Sequence, residues 1–433
     1  MKEMSTTVVV VGSGSSGIAA SMTLLENKIN FILLEKGRDL GGAGRFGAHG
    51  VFAINSKQQQ AQKVNYSYAD AFKEMTEYNH YFVNGSLLSR FLKMSGKNID
   101  WLESIGLPTT LEASQQEAHI NDPMVYHKFN STKDQIANWD RMEEKIKSAG
   151  NLVLHDTGAV DIDYDNDQLQ AIIAEDKNGQ KIRISCEYVV YADGGYPGNS
   201  KMMHEKYADA DELMNLGERK AQGQGILACK KIGASTNHTP VLFAHACAPS
   251  LNINPMKRNN AVETLTNLPL FWVDPTGHRF VDEGICYDFA LWSNAAHNVG
   301  GKYYVLVDQK TIDHLKENEV NLLDAFEKQF SQVGQTPRTT VGPIKNIQKD
   351  FDEATKTSEV VKAKTIEELA NKLNIPLNAL KKTIKQYNDA IQKKEDDTFL
   401  KNPDYLKFEI SEDGPYYAII EHVAILGTLD GVY

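Results

Sequence analysis

Cysteine is scarce: four residues, Cys186, Cys229, Cys247 and Cys286, lie far apart in a chain of 433. No CxxC pair or His cluster accompanies them. That argues against a disulfide framework or a metal centre, and for small buried hydrophobes in a reducing compartment. Positive charge is also short. With 46 Lys and Arg against 57 Asp and Glu, the net charge is −11, and no basic stripe interrupts it. A nucleic-acid backbone is therefore excluded as a partner. Long apolar runs are missing too. Val8–Val11 is a strand-length run, far too short to cross a bilayer, so no membrane span is expected. No N-terminal stretch joins a basic region, an apolar core and a small-residue cleavage site, so a cytoplasmic location is expected. Internal repeats, heptads and low-complexity linkers are absent as well.

What is present begins at the N-terminus. Val8–Val11 runs into Gly12-Ser13-Gly14-Ser15-Ser16-Gly17, and Phe31-Ile32-Leu33-Leu34 ends on Glu35. This reads as a buried parallel strand, a GxGxxG turn, an apolar helix and a second strand closed by an acid. Gly12 permits the tight turn, Gly14 lets backbone approach a pyrophosphate, and Gly17 lets helix pack on strand. The helix N-terminus offers N–H groups to phosphates. Glu35 stands where a carboxylate accepts from ribose hydroxyls, and it would repel a 2′-phosphate. The expectation is an adenine dinucleotide site.

A second glycine-rich loop, Leu40-Gly41-Gly42-Ala43-Gly44-Arg45-Phe46-Gly47-Ala48-His49-Gly50, follows. So many glycines cost backbone entropy unless the chain must run close against something flat. NAD folds usually pass straight to the next crossover helix, so this loop favours FAD; a mobile surface loop is the plainer alternative. Further on, Leu152–His155, Val160–Tyr164, Ala171–Ala174 and Lys181–Ile184 read as a meander of alternating strands. Asp176-Lys177-Asn178-Gly179 is its hairpin turn. Cys186–Tyr191 then empties into Ala192-Asp193-Gly194-Gly195-Tyr196-Pro197-Gly198-Asn199.

In this order, these motifs resemble the flavoprotein family of fumarate reductase and succinate dehydrogenase. The family's ATGG-[FY]-x-GN appears with Asp193 in place of Thr. Its GDGI…GA helix appears as Gly223-Gln224-Gly225-Ile226…Gly233-Ala234, with Gln224 in place of Asp. Its VNxEGxRFVNE hairpin appears as Val273 to Glu283. The likeness resumes at Thr365–Ala370, where Thr365 and Glu368 form a capping box, and at Pro415–Ala418. It implies an α/β fold: a Rossmann-like FAD-binding domain with an antiparallel meander over residues 1–244, a mixed α+β capping domain over 245–425, and a return to the first domain at 426–433. The expected helices of the cap are Lys316–Gln332 and Thr365–Gln392, and Gln392–Asp397 reads as a solvated turn.

For the cofactor the resemblance implies FAD, held by Gly12, Ser13, Gly14, Ser16, Gly17, Glu35 and Lys36. The loop adds Gly42, Ala43, Gly44, Gly47 and Gly50; later segments add Val160, Ala192, Asp193, Gly194 and Gln224. In the membrane-bound branch a His attaches the flavin covalently. That position is Ala43 here and His49 lies too far along the loop, so noncovalent FAD is expected. The expected reaction is reduction, or formation, of an activated C=C bond in an enoate or enone, by hydride from flavin N5 and a proton from the protein.

The family's catalytic positions fit less well. His245 matches an HPT histidine that has lost its Pro and Thr, and Glu263 matches a relay acid. Thr266 stands for a relay Arg, Tyr287 for the donor Arg, and Leu426 (or Gly427) for a second His. A dicarboxylate wants bidentate guanidinium anchors, and these are missing, so fumarate is not the expected substrate. Tyr287 is the expected proton donor, with Glu263 and His245 as companions, which points toward a substrate with one carbonyl or a less charged enone, as in the family's ketosteroid and hydroxycinnamate branches. Each also has a plainer reading: a packed aromatic, a surface acid, a structural histidine. The partners expected are a small unsaturated substrate and an external electron donor: reduced flavin, NAD(P)H or a redox protein. The resemblance further implies a strand, glycine turn and helix beyond Tyr433. It thus reads the chain as truncated, with an unpaired sheet edge prone to aggregate. A catalytically silent fragment and an NAD-dependent dehydrogenase are the competing readings.

Overall fold

The computed structural model describes residues 1–432 apart from 47–48, 115–116, 120, 130–131, 237–238, 250–259 and 327–338. Val8–Val11 is buried on both faces, which is why it carries no alternation. Val8 and Val10 pack with Ile18, Met22 and Trp139; Val9 and Val11 pack with Ala159, Ile172 and Ile184. Helices Ser15–Glu26 and Thr132–Ser148 thus cover one face of the central sheet, and the antiparallel sheet covers the other. The central sheet is parallel, in the order Tyr188–Tyr191, Val8–Val11, Phe31–Leu34, Leu152–Leu154.

Leu152–Leu154 belongs to this sheet and not to the meander. The Thr132–Ser148 helix makes the crossover, and the Asn151 side chain accepts the Phe31 N–H at 2.9 Å, seating the strand beside Phe31–Leu34. The meander itself is Thr157–Asp165, Gln168–Asp176 and Lys181–Ser185, extended by Lys2–Ser5 running parallel to the last. Its expected turn is present: Asp176 Oδ1 accepts from the N–H groups of Asn178 and Gln180.

The second unit is organised by one long strand, Tyr416–Thr428. Lys302–Asp308 pairs with its first half, and Phe271–Val273 pairs with Lys302–Asp308. Val360–Ala363, Leu242–Ala248 and Leu213–Asn215 complete the six strands. Leu213–Asn215 and the start of Leu242–Ala248 precede residue 245, so this sheet reaches across the expected domain boundary.

Two expected cap helices differ. Asp308 caps a helix at Gln309–Glu317 by accepting the Thr311 N–H, and that helix ends at Asn318. The chain then turns so that Val320 bridges Val341; the rest of the expected helix, from 327 on, lies outside the described residues. The 365–392 helix is two, Ile366–Leu373 and Leu377–Lys393. Asn374 takes a left-handed conformation (φ 55°) and Pro376 cannot continue an i−4 ladder. Among the described residues, no helix is long and apolar enough to cross a membrane.

Candidate functional site

The Val8–Val11 strand delivers the chain to a cleft of about 500 Å³ at the carboxyl end of the parallel sheet. This is where open α/β sheets take their ligands. Gly12 turns at φ +90°, and a Cβ there would lie 2.5 Å from the Ala192 carbonyl oxygen. At Gly17 a Cβ would fall 1.8 Å from the Gly12 oxygen, so its role is packing of helix on strand. Gly14 differs: a Cβ would meet nothing nearer than 4.0 Å. It faces the open cleft, and as N-cap of the Ser15–Glu26 helix it leaves the first turn with no side-chain cap. Bare N–H groups, a positive dipole end and open space form an anion cradle. A flavin dinucleotide's pyrophosphate fits it.

Glu35 is buried beside this turn and already oriented. The Ser13 hydroxyl donates to it, as do the N–H groups of Ser13 (3.3 Å) and Gly37 (2.6 Å), and Lys220 Nζ lies 3.4 Å away. Lys36 Nζ donates to Gln222 Oε1 at 2.7 Å, and burial lowers its pKa. Asp193 accepts the Gly225 N–H at 2.8 Å, while burial raises its carboxyl pKa. Asp193 therefore caps the Gln224–Lys231 helix. The acid that the resemblance places at 224 is supplied from across the contact at 193.

Most expected cofactor positions line the cleft: Gly12, Ser13, Gly14, Ser16, Glu35, Lys36, Gly42, Ala43, Gly44, Ala192, Asp193, Gly194 and Gln224. Gly17 stands behind it. Gly50 sits in a separate small sheet with Tyr126–Phe129 and Thr109–Glu112. Gly47 lies outside the described residues. Val160 is displaced by a bulge between Ala159 and Asp161; its side chain is 49% exposed and Ala159 lines the cleft instead. Sequence reasoning missed Thr157–Ala159, Lys220 and Thr428, and it assigned Leu426 or Gly427 to a substrate histidine's position and not to the cofactor cleft they line. Of these, only the positive charge of Lys220, placed after the glycine motif, was a usable signal. The end of the long strand is tied down by the Tyr196 N–H, which donates to Thr428 Oγ1 at 3.1 Å.

Gly14→Ala is expected to fold normally but to weaken FAD binding at least about tenfold, roughly 1.4 kcal/mol. Gly17→Ala should disturb the strand–helix packing itself. Flavin absorbance per protein, set beside the melting temperature, separates the two; a flavin-replete Gly14→Ala protein would contradict the cradle.

The expected catalytic residues lie in the second unit, and none lines the nucleotide cleft. Tyr287 is buried, donates its hydroxyl to the Leu323 carbonyl at 3.0 Å and packs against Tyr405. His245 sits at a bulge in Leu242–Ala248, where Ala246 adopts φ +61° and gives its carbonyl to the Ser293 hydroxyl. The bulge and the left-handed backbone at Ala246 interrupt the regular alternation of side chains along this strand. The His245 ring stands edge-on to Phe289 (4.9 Å) and Phe326 (6.0 Å). Leu323–Phe326 therefore links His245 to Tyr287. Glu263 lies in the first turn of the Ala261–Thr266 helix, on the Glu421 side. Among the described residues, no group of His, Cys, Asp and Glu could hold a metal.

A family model described as "FAD binding domain" matches residues 7–433. The chain is 28% identical to a vinyl phenol reductase of Lactiplantibacillus plantarum, over 98% of this chain and 84% of that one. It is 24% identical to a probable fumarate reductase of Shewanella frigidimarina, over 99% of this chain and 65% of that one. In structure it superposes on a 3-ketosteroid Δ1-dehydrogenase of Sterolibacterium denitrificans with a TM-score of 0.71 at 15% identity, covering 99% of this chain and 89% of that one.

Proposed function

The chain belongs to the FAD binding domain family, and on that premise we propose that it is an oxidoreductase that reduces, or forms, an alkene conjugated to one carbonyl or to a phenol. One observation carries the substrate class. The positions where a dicarboxylate would need guanidinium or imidazole anchors hold Thr266, Tyr287 and Leu426, and the His245 ring packs edge-on against the rings of Phe289 and Phe326. Neutral aromatic neighbours favour a planar, weakly charged substrate. The similarity to a vinyl phenol reductase agrees with this. FAD, when bound, supplies the hydride.

The chain's own residues do the rest. The Gly12–Gly17 turn and the Ser15–Glu26 helix receive the pyrophosphate, and Glu35 receives the ribose. Ala43 carries no nucleophile, so FAD is held noncovalently. Tyr287 gives a proton to the second alkene carbon, and the Leu323 carbonyl orients the hydroxyl beforehand. His245 contacts the substrate's polar group, and Glu263 connects the site to solvent protons. Electrons arrive from an external donor.

The test is anaerobic. Flavin bleached by dithionite should be reoxidised by enones, hydroxycinnamates or vinyl phenols and not by fumarate. Tyr287→Phe should slow that step on the order of 100-fold or more. Reoxidation by fumarate alone would refute the substrate class, and full turnover of Tyr287→Phe would refute the donor.

A further inference from the structure

Asp288 follows Tyr287 in the chain and precedes Phe289, the residue that packs on His245. Its side chain is only 6% exposed, yet it holds a carboxylate. One partner is local: it accepts the Leu291 N–H at 3.0 Å and caps the Phe289–Asn298 helix. The other two come from the first unit. The Tyr78 hydroxyl, at the end of helix Tyr68–Tyr78, lies 2.9 and 3.0 Å from the two carboxylate oxygens. His119 Nε2 lies 3.2 Å away. The other ring nitrogen, Nδ1, faces Asp122 Oδ2 at 2.7 Å, and the Tyr78 ring stands edge-on to the imidazole at 5.7 Å.

An imidazole with a carboxylate at each nitrogen can donate to both only when doubly protonated. The geometry therefore specifies an imidazolium between Asp122 and Asp288. A carboxylate this buried is tolerable only when paired and hydrogen-bonded, and here the charge that pairs it belongs to the other unit.

We propose that His119 and Tyr78 are positioning residues: reaching across from the nucleotide-binding unit, they grip Asp288 and so fix the turn that presents Tyr287 and the helix that presses Phe289 on His245. The inference rests on the proton-donor reading of Tyr287 for its catalytic consequence, though not for the grip itself. The groups facing His119 are Asp288 from the second unit, and Tyr78 and Asp122 from the first. Beyond Asp122 stands Tyr66, whose hydroxyl donates to Glu74. The bond to Asp288, with help from Asp122, raises His119 to about 9. Burial pushes Asp288 upward, but His119, the Leu291 N–H and Tyr78 outweigh it and hold the acid below its ordinary value. Grip strength is therefore present at neutral pH and is lost as pH rises through about 9.

The test uses the full-length, flavin-loaded protein with His119→Gln and Tyr78→Phe. Neither residue lines the FAD cleft, so flavin content should stay at the wild-type level. Amide hydrogen exchange over 289–298 should accelerate in both variants at neutral pH, and in wild type above about pH 9. Turnover should fall on the order of tenfold in kcat with KM little changed; wild-type kcat should decline as pH rises through about 9, and that limb should vanish in His119→Gln. Unchanged exchange in both variants would overturn the grip. Faster exchange with unchanged turnover and pH profile would make the contact merely structural and overturn the positioning role. Should Tyr287→Phe prove fully active while His119→Gln still loses the limb, the donor assignment falls and the grip stands.

Discussion

Lys401→Met is expected to destabilise the protein by about 3–5 kcal/mol. Lys401 Nζ is fully buried, donating to the carbonyls of Pro269 (2.6 Å) and Leu270 (3.1 Å) and to the Tyr387 hydroxyl (3.1 Å). It also pairs with Glu283 Oε2 at 3.2 Å. Glu283, equally buried, accepts both arms of Arg279 at 2.7 Å, and Arg279 reaches on to Asp396 at 2.9 Å. Two cations and two carboxylates thus alternate in a neutral chain inside the second unit. Deleting Lys401 leaves a net buried negative charge and two carbonyls without their donor. Urea unfolding of the flavin-loaded protein reads the loss; less than about 1 kcal/mol would show the cluster to be dispensable. Adding Glu283→Gln to Lys401→Met should cost less than the two single losses summed, because neutrality is restored.

Glu421→Gln is expected to do the opposite, and to do so increasingly as pH rises. Glu421 is completely buried, with Oε2 lacking any partner among the described residues. Thr266 Oγ1 lies 2.6 Å from Oε1 and also 3.0 Å from the Val262 carbonyl. A hydroxyl has one proton. If Thr266 spends it on Val262, as its place in the helix favours, then Glu421 must be the donor and hence un-ionised. Burial pushes its pKa from 4.5 up to about 8, and the charge of Glu263 adds to it. With the folded pKa raised, the folded state keeps a proton that the unfolded state loses between 4.5 and about 8. Stability from this group is therefore full below 4.5, drains through that window at about 1.4 kcal/mol per pH unit, and levels off above it. The Gln variant keeps a donor for Thr266 and has nothing to ionise. Its advantage over wild type should be near zero at about pH 4 and on the order of a few kcal/mol at about pH 8. Unfolding midpoints at the two pH values decide it: a difference that does not change with pH would refute the buried, protonated acid.

Much of the nucleotide half was legible in the chain. The four valines, the glycine spacing and Glu35 are neighbours in sequence, so their roles follow from period and turn chemistry, and the cleft formed where they pointed. Gly42, Ala43 and Gly44 also line the cleft, though in a short helix, Gly42–Phe46, where a loop was expected. Misreadings came where local and distant signals compete. Leu152–Leu154 has the composition of a meander strand, but Asn151 and a crossover helix seat it in the parallel sheet. Val160 alternates correctly on paper, and a single bulge turns it outward. Asp396 sits in the charged stretch Lys393-Lys394-Glu395-Asp396-Asp397, which reads as solvated, yet Arg279 from 117 positions away draws it inside.

The chain by itself determined the ligand class: an adenine dinucleotide, because a phosphate cradle is built from consecutive backbone groups whose conformations the glycines dictate, with FAD favoured by the second glycine loop and implied by the family resemblance. Tertiary structure alone decided how charge is placed around it. Asp193 capping the helix at Gly225, Lys220 meeting Glu35, His119 gripping Asp288 and Thr266 touching Glu421 are contacts between residues up to 185 positions apart. Periodicity carries no information about such pairs. They exist because each polar group drawn out of water by folding must find its partner wherever the packed elements bring one within reach.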